Sequence, residues 1–170
     1  VHQPLYDHFE NKSPLSTGIV RAGDWASTVP DRLVAEGRLG FIPGESIDGM
    51  MEATRKRIAA VAEKDEWLRA HPPLVEFFSG QFIAEEIAPD HALVQTIAKA
   101  HRDVAGNEPK VMGLTGGADT RLWVRFAGVP ALMYGPGTMD LAHQSDESVG
   151  IEDLLTCITV LTRATIDWCG

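Results

Sequence analysis

"TGGADTRLWVRFAGVPALMYGPG", residues 115–137, places two glycines ahead of a helical segment, then a near-continuous apolar run over 129–135, then a Gly-Pro-Gly turn. A short apolar run bounded by turn residues predicts a strand covered on both faces, as in α/β sheets. Loops at the carboxyl ends of such strands line ligand crevices, so "YGPG" (134–137) is open to two readings, a pocket loop or a plain turn. A buried strand of this type needs parallel neighbours. No other segment of the sequence reads as one, so the expected partners lie outside these 170 residues.

On the amino-terminal side of this stretch, "HALVQTIAKAHRDVAG" (91–106) is predicted as a helix stopped by Gly106. On the carboxyl side, Ile151, Leu154, Leu155, Ile158, Leu161, Thr165 and Cys169 fall on one stripe of a terminal amphipathic helix. Farther upstream, "LSTGIVRAG" (15–23) and "RLVAEGRLGF" (32–41) read as short strands, the second burying Leu33, Ala35, Leu39 and Phe41 on one face. "IPGES" (42–46) is a turn with Ser46 placed to cap a helix running from Ile47 to about Arg69, where "AHPP" ends it. "PLVEFFSGQFIAEE" (73–86) reads as a long strand with a bulge at Gly80. Strand, strand, helix, strand is half to three quarters of a split βαβ sandwich. Two domains are therefore expected, 1–87 and 88–170.

Composition narrows the function classes. Apolar residues make up 44% of the chain, enough for a real core, and 24 acidic against 15 basic residues give a formal charge of -9. That balance disfavours a nucleic-acid surface, which draws on clustered Lys and Arg. The "RKR" at 55–57 sits in a helix rich in acids and reads as a solvated face. No run of 18 or more apolar residues occurs, which argues against a membrane span, and the first residues lack the plan of a signal peptide. Cys157 and Cys169 lie in one predicted helix roughly 18 Å apart by helical rise, beyond disulfide reach, so reduced thiols and a cytoplasmic location are expected.

Two places carry candidate chemistry. In "AHQSDE" (142–147), His143 stands alone. A catalytic zinc takes about three protein ligands, so it is either one ligand of a site completed elsewhere or a histidine hydrogen-bonded at a loop-to-helix junction. His91 and His101 do not complete a site, since ten residues rotate them by about 280° around their helix. In "TGGADTRLW" (115–123), two glycines before a helix let backbone N–H groups approach an anion, and Arg121 could grip a carboxylate in bidentate fashion. The alternative is a tight turn with Arg121 paired to Asp119. A phosphate site is disfavoured, because no "GK[ST]" follows the glycines.

Taken in order, "TGGADTRLWVRFAGVPALMYGPG" and "LAHQSDESVGIEDLL" (141–155) resemble the C-terminal end of the co-catalytic zinc amidohydrolases. That family includes acetylornithine deacetylase, succinyl-diaminopimelate desuccinylase, aminoacylase and carboxypeptidase G. "STGIVRAGDWASTVPDRLVAEGRLGFIPGES" (16–46) resembles part of their lid, or dimerisation, domain. The likeness runs from about Ser16 to Asp167. It implies a partial ferredoxin-like lid over 1–87, and over 88–170 the C-terminal part of a zinc-peptidase-like α/β catalytic domain.

The resemblance also implies roles. His143 matches the last zinc ligand and Arg121 the arginine that holds the substrate carboxylate. Gly116, Gly117, Gly135 and Gly137 match pocket loops, and Asp119 and Glu147 look like supporting residues. The family's other ligands and its catalytic glutamate precede the lid and have no counterparts here, so the chain looks like a C-terminal fragment with no catalytic residue of its own. The implied parent uses two zinc ions to hydrolyse the amide of an N-acyl amino acid or small peptide-like substrate, with "AHQSDE" closest to the acetylornithine deacetylase and desuccinylase branch. It would form a homodimer through the lid. The rival reading is a non-catalytic dimerisation or binding module.

Overall fold

A computed structural model describes residues 3–78 and 82–170. The chain divides into two compact units: residues up to Ala84 with Gly113–Gly117, and Glu85–Met112 with Ala118–Gly170.

In the first unit, strands β1 (Leu15–Ala22) and β2 (Leu33–Leu39) form an antiparallel hairpin running from Leu15 opposite Leu39 to Ala22 opposite Leu33. The pairing slips between Thr17 and Ile19, at Gly18, and an Arg21 to Glu36 hydrogen bond of 2.7 Å crosses the strands. The face expected to be buried is not: Leu33 is 64% exposed and Ala35 is open, because nothing among the described residues covers a two-stranded sheet on either side. Burial in this unit falls instead on Tyr6, Ile42 and Ala62. The turn before the first long helix is tied by Glu45, whose carboxylate accepts from the Ile42 N–H at 2.9 Å and the Ser13 hydroxyl at 3.1 Å.

Helix α1 (Ile47–Ala62) starts as its sequence asks, the Ser46 hydroxyl accepting from the Gly49 N–H at 3.1 Å. The single helix expected to Arg69 is broken. Asp65 leaves helical geometry, and its carboxylate accepts from the Leu68 N–H at 2.8 Å to start a new helix, α2 (Glu66–Ala70). An aspartate's short side chain competes with the helical ladder in this way. The strand expected over 73–86 is absent from 73–78 and 82–86, where no ladder partner is present among the described residues. The bulge expected at Gly80 lies outside the described residues.

The second unit is organised by two helices, α3 (Ala92–Ala105) and α5 (Ile151–Cys169). Gly106 ends α3 in the left-handed region at φ 75°, as its position predicts. Between them lies the short helix α4 (Thr120–Leu122), which runs into a π-helical turn over Trp123–Ala127. Ala100, Val160 and Ala164 form the core, with Ile97, Val104 and Tyr134 packed around it. The stripe expected to be buried on α5 is the exposed one, with Ile151 74% and Ile158 53% open. The side that packs is Cys157, Val160 and Ala164, because small side chains let α5 approach the alanines of α3 closely.

Residues 129–135 form no strand, and Val129 and Met133 are exposed, against the expectation of a strand covered on both faces. Apolar character alone does not make a strand; the ladder hydrogen bonds need a partner, and none is present among the described residues. Both cysteines are free thiols. Among the described residues no helix is long and apolar enough to cross a membrane. Replacing Val160, fully buried, by Ala is expected to cost about 2 kcal/mol. Ile151→Ala is expected to stay within about 0.5 kcal/mol; thermal unfolding followed by helical circular dichroism separates the two.

Candidate metal and carboxylate site

The loop from Tyr134 to α5 is shaped by its backbone. Gly137 is left-handed at φ 82°, a conformation side chains disfavour, and a Cβ there would lie 3.4 Å from Val149 Cγ2. Thr138 then caps a 3-10 turn over Met139–Leu141, its hydroxyl accepting from the Asp140 N–H at 3.3 Å. Two residues later comes His143 at φ 66°, the only non-glycine with positive φ among the described residues. Holding a histidine there costs about 1–2 kcal/mol. The restraint is Glu147, whose Oε2 accepts from the His143 backbone N–H at 3.0 Å.

That bond uses the main chain and leaves the imidazole alone. The His143 ring is exposed and makes no hydrogen bond among the described residues. Of the two sequence readings, hydrogen bonding at the junction is made by the backbone, while the ring stays available to an external cation. Glu147 thus meets His143 through the peptide alone. The chemistry suits a single neutral-imidazole ligand. Among the described residues no group of three or more His, Cys, Asp or Glu could hold a metal ion, so any further ligands would have to come from outside this set.

Arg121 lies in α4 with its side chain 20% exposed, and its Nη2 is 3.6 Å from Asp119 Oδ1. Asp119 is 79% exposed, and an ion pair this open to water contributes little, on the order of 0–1 kcal/mol. Asp119 does not cap α4 through its side chain, and three residues supply little helix dipole, so anion recognition would rest on Arg121 itself.

Gly116 and Gly117 belong to the first unit. Neither is left-handed; glycine at 117 is required because a Cβ would come within 2.9 Å of the Phe82 ring. Gly135 has open space around it. The structure therefore joins His143 to Glu147 and Arg121 to Asp119 as local pairs, with Gly137 shaping the loop ahead of His143.

One group escaped the sequence reading. The Tyr134 hydroxyl lies 2.7 Å from His101 Nδ1, and His101 Nε2 lies 2.8 Å from Asn107 Oδ1. The rings meet edge to face, centroids 5.8 Å apart. Burial, and secondarily the neighbouring Cys157, raises the Tyr134 pKa above its ordinary value, so the hydroxyl keeps its proton and can donate. The one local signal was Asn107 just past the Gly106 stop; the Tyr134 contact spans 33 residues and leaves no trace in spacing.

The sequence profile of peptidase family M20/M25/M40 matches residues 22–167. This chain belongs to that family. The chain is 29% identical over 140 residues to N-formyl-4-amino-5-aminomethyl-2-methylpyrimidine deformylase of Halalkalibacterium halodurans, a match covering 76% of this chain and 32% of that protein. It is 28% identical over 160 residues to acetylornithine deacetylase of Myxococcus xanthus, covering 92% of this chain and 38% of that one. In structure it resembles an M20 family metallo-carboxypeptidase from Sulfolobus solfataricus at a TM-score of 0.61 and 18% identity, over 89% of this chain and 35% of the other. The M20 peptidase-like α/β fold follows. The chain spans less than two fifths of the length of these relatives.

The strain at position 143 can be measured on this M20 chain directly. His143→Gly is expected to raise the unfolding free energy by about 1 kcal/mol, because glycine adopts φ 66° without penalty, whereas His143→Ala is expected not to. Chemical denaturation of the three proteins checks this.

Proposed function

We propose that this chain contributes to metal-dependent hydrolysis of an amide bond in an N-acyl amino acid or small peptide-like substrate with a free carboxylate. The single observation that carries the reading is His143: a left-handed, restrained backbone presenting an exposed imidazole, within a family match covering residues 22–167. Strain retained at an unpaired, chemistry-bearing side chain points to use rather than stability. The names of two relatives, a deformylase and a deacetylase, share one reaction, removal of an acyl group from nitrogen.

In this reading His143 is one ligand of a zinc site that holds two ions in the whole enzyme, and Glu147 fixes the peptide from which the imidazole projects. Bound zinc would polarise the amide carbonyl and lower the pKa of a water. Arg121 takes the substrate carboxylate, oriented beforehand by Asp119, while Gly135 and Gly137 keep side chains out of the loop that leads to His143. Residues 88–170 form the C-terminal part of the catalytic domain. Residues 1–87 form part of a ferredoxin-like lid that pairs two copies, and the free thiols suit the cytoplasm.

A second reading, a non-catalytic dimerisation or binding module, draws on the hairpin, where Leu15, Val20 and Leu33 are all exposed. Exposed strands of this kind invite pairing. Acyl-amino-acid hydrolysis with added zinc, combined with sizing in solution, tests both. The 170 residues alone are expected to give no turnover, since they bring one ligand and no general base; zinc-dependent turnover by this chain would overturn that division of labour. In the whole enzyme, Arg121→Ala is expected to raise KM for carboxylate-bearing substrates by about tenfold or more while sparing substrates that lack the carboxylate. Equal loss on both would remove Arg121 from substrate recognition.

A further inference from the structure

His101, Tyr134 and Asn107 form a hydrogen-bonded chain within the second unit that the proposed hydrolysis does not use. Asn107 Oδ1 can only accept, so His101 Nε2 carries the proton, and Nδ1 is then the acceptor for the Tyr134 hydroxyl at 2.7 Å. The Tyr134 hydroxyl retains the proton this requires, because burial disfavours its anion. The imidazole thereby bridges a residue just beyond the end of α3 and the residue that opens the Gly135-Pro136-Gly137 turn.

The consequence lies downstream. From Tyr134 to α5 the chain has no regular element apart from the 3-10 turn, and a few contacts hold it. Tyr134 is tied to His101, Gly137 lies against Val149, and the His143 N–H is bonded to Glu147. Tyr134 ties the loop back to α3 twice, by its ring against the core and by its hydroxyl on His101. We propose that His101 is a positioning residue: through Tyr134 it fixes the path of the loop that ends in the left-handed His143. Its bearing on the metal site rests on the reading of His143 given above; its effect on the loop does not.

The test is amide hydrogen exchange by NMR on the 170-residue chain, read at the hydrogen-bonded amides of Leu141, Ala142 and His143 and, as a reference, within α3 and α5. Tyr134→Phe removes only the hydroxyl and keeps the ring in the core. It is expected to speed exchange at the three loop amides about fivefold, the shift in opening equilibrium for one lost hydrogen bond, with the helices within about twofold. It is also expected to move the His101 Nδ1 nitrogen signal, which a purely packing role would leave in place. His101→Ala is expected to reproduce the loop effect, and His101→Gln, which keeps an acceptor and a donor, to restore most of it. Unchanged loop exchange in Tyr134→Phe, or equal acceleration in loop and helices, overturns the proposal. Should the loop loosen while His143→Ala leaves hydrolysis by the whole enzyme intact, the positioning role stands and the metal reading falls.

Discussion

Close packing of Val160 against Ala100 and Ala164 is the constraint on which the rest of the second unit depends. Small residues at the meeting of α3 and α5 allow near approach of the two helices, and this fixes a scaffold for residues 118–150 of the same unit. Tyr134 joins that core with its ring and leaves its hydroxyl for His101. From there the loop runs through Gly137 and the 3-10 turn to His143, so a packing contact between helices ends by setting where an imidazole stands.

At His143 stability and use pull in opposite directions. A left-handed histidine is unfavourable, and the Glu147 carboxylate that accepts its N–H offsets part of the cost. Evolution has had glycine available for such positions and places it at 106, 128 and 137 in this same unit. Histidine at 143 stands where glycine would be easier, and its ring makes no hydrogen bond among the described residues, which supports the proposed external use. Arg121 pairs with an exposed Asp119 at 3.6 Å, an ion pair that contributes little to stability.

Much of this was legible in the sequence, and the failures share a cause. The hairpin strands, the Ser46 cap, the Gly106 stop and the span of α5 follow from local rules, because alternation, capping and left-handed glycine act over a few residues. Asp65 could have been read as a break in the helix, since its side chain competes for the backbone. The apolar runs at 73–78, 82–86 and 129–135 form no strands, because pairing is a property of two segments, and no second segment is at hand among the described residues. The apolar stripe of α5 and its packed side differ for a related reason. Periodicity finds the most apolar stripe, whereas the partner helix selects the smallest one. His143, Glu147, Arg121 and Asp119 were named as candidates through motif order, and the His101 to Tyr134 bond was missed because it links distant positions.

In the proposed function the His143 ring binds metal in the service of amide hydrolysis. Its most direct test is the zinc content of the whole enzyme and of its His143→Ala variant after dialysis, measured together with N-acyl amino acid hydrolysis. The account predicts loss of about one zinc equivalent per chain and a fall in rate of about a hundredfold or more. Unchanged zinc content and unchanged rate in the variant would contradict it.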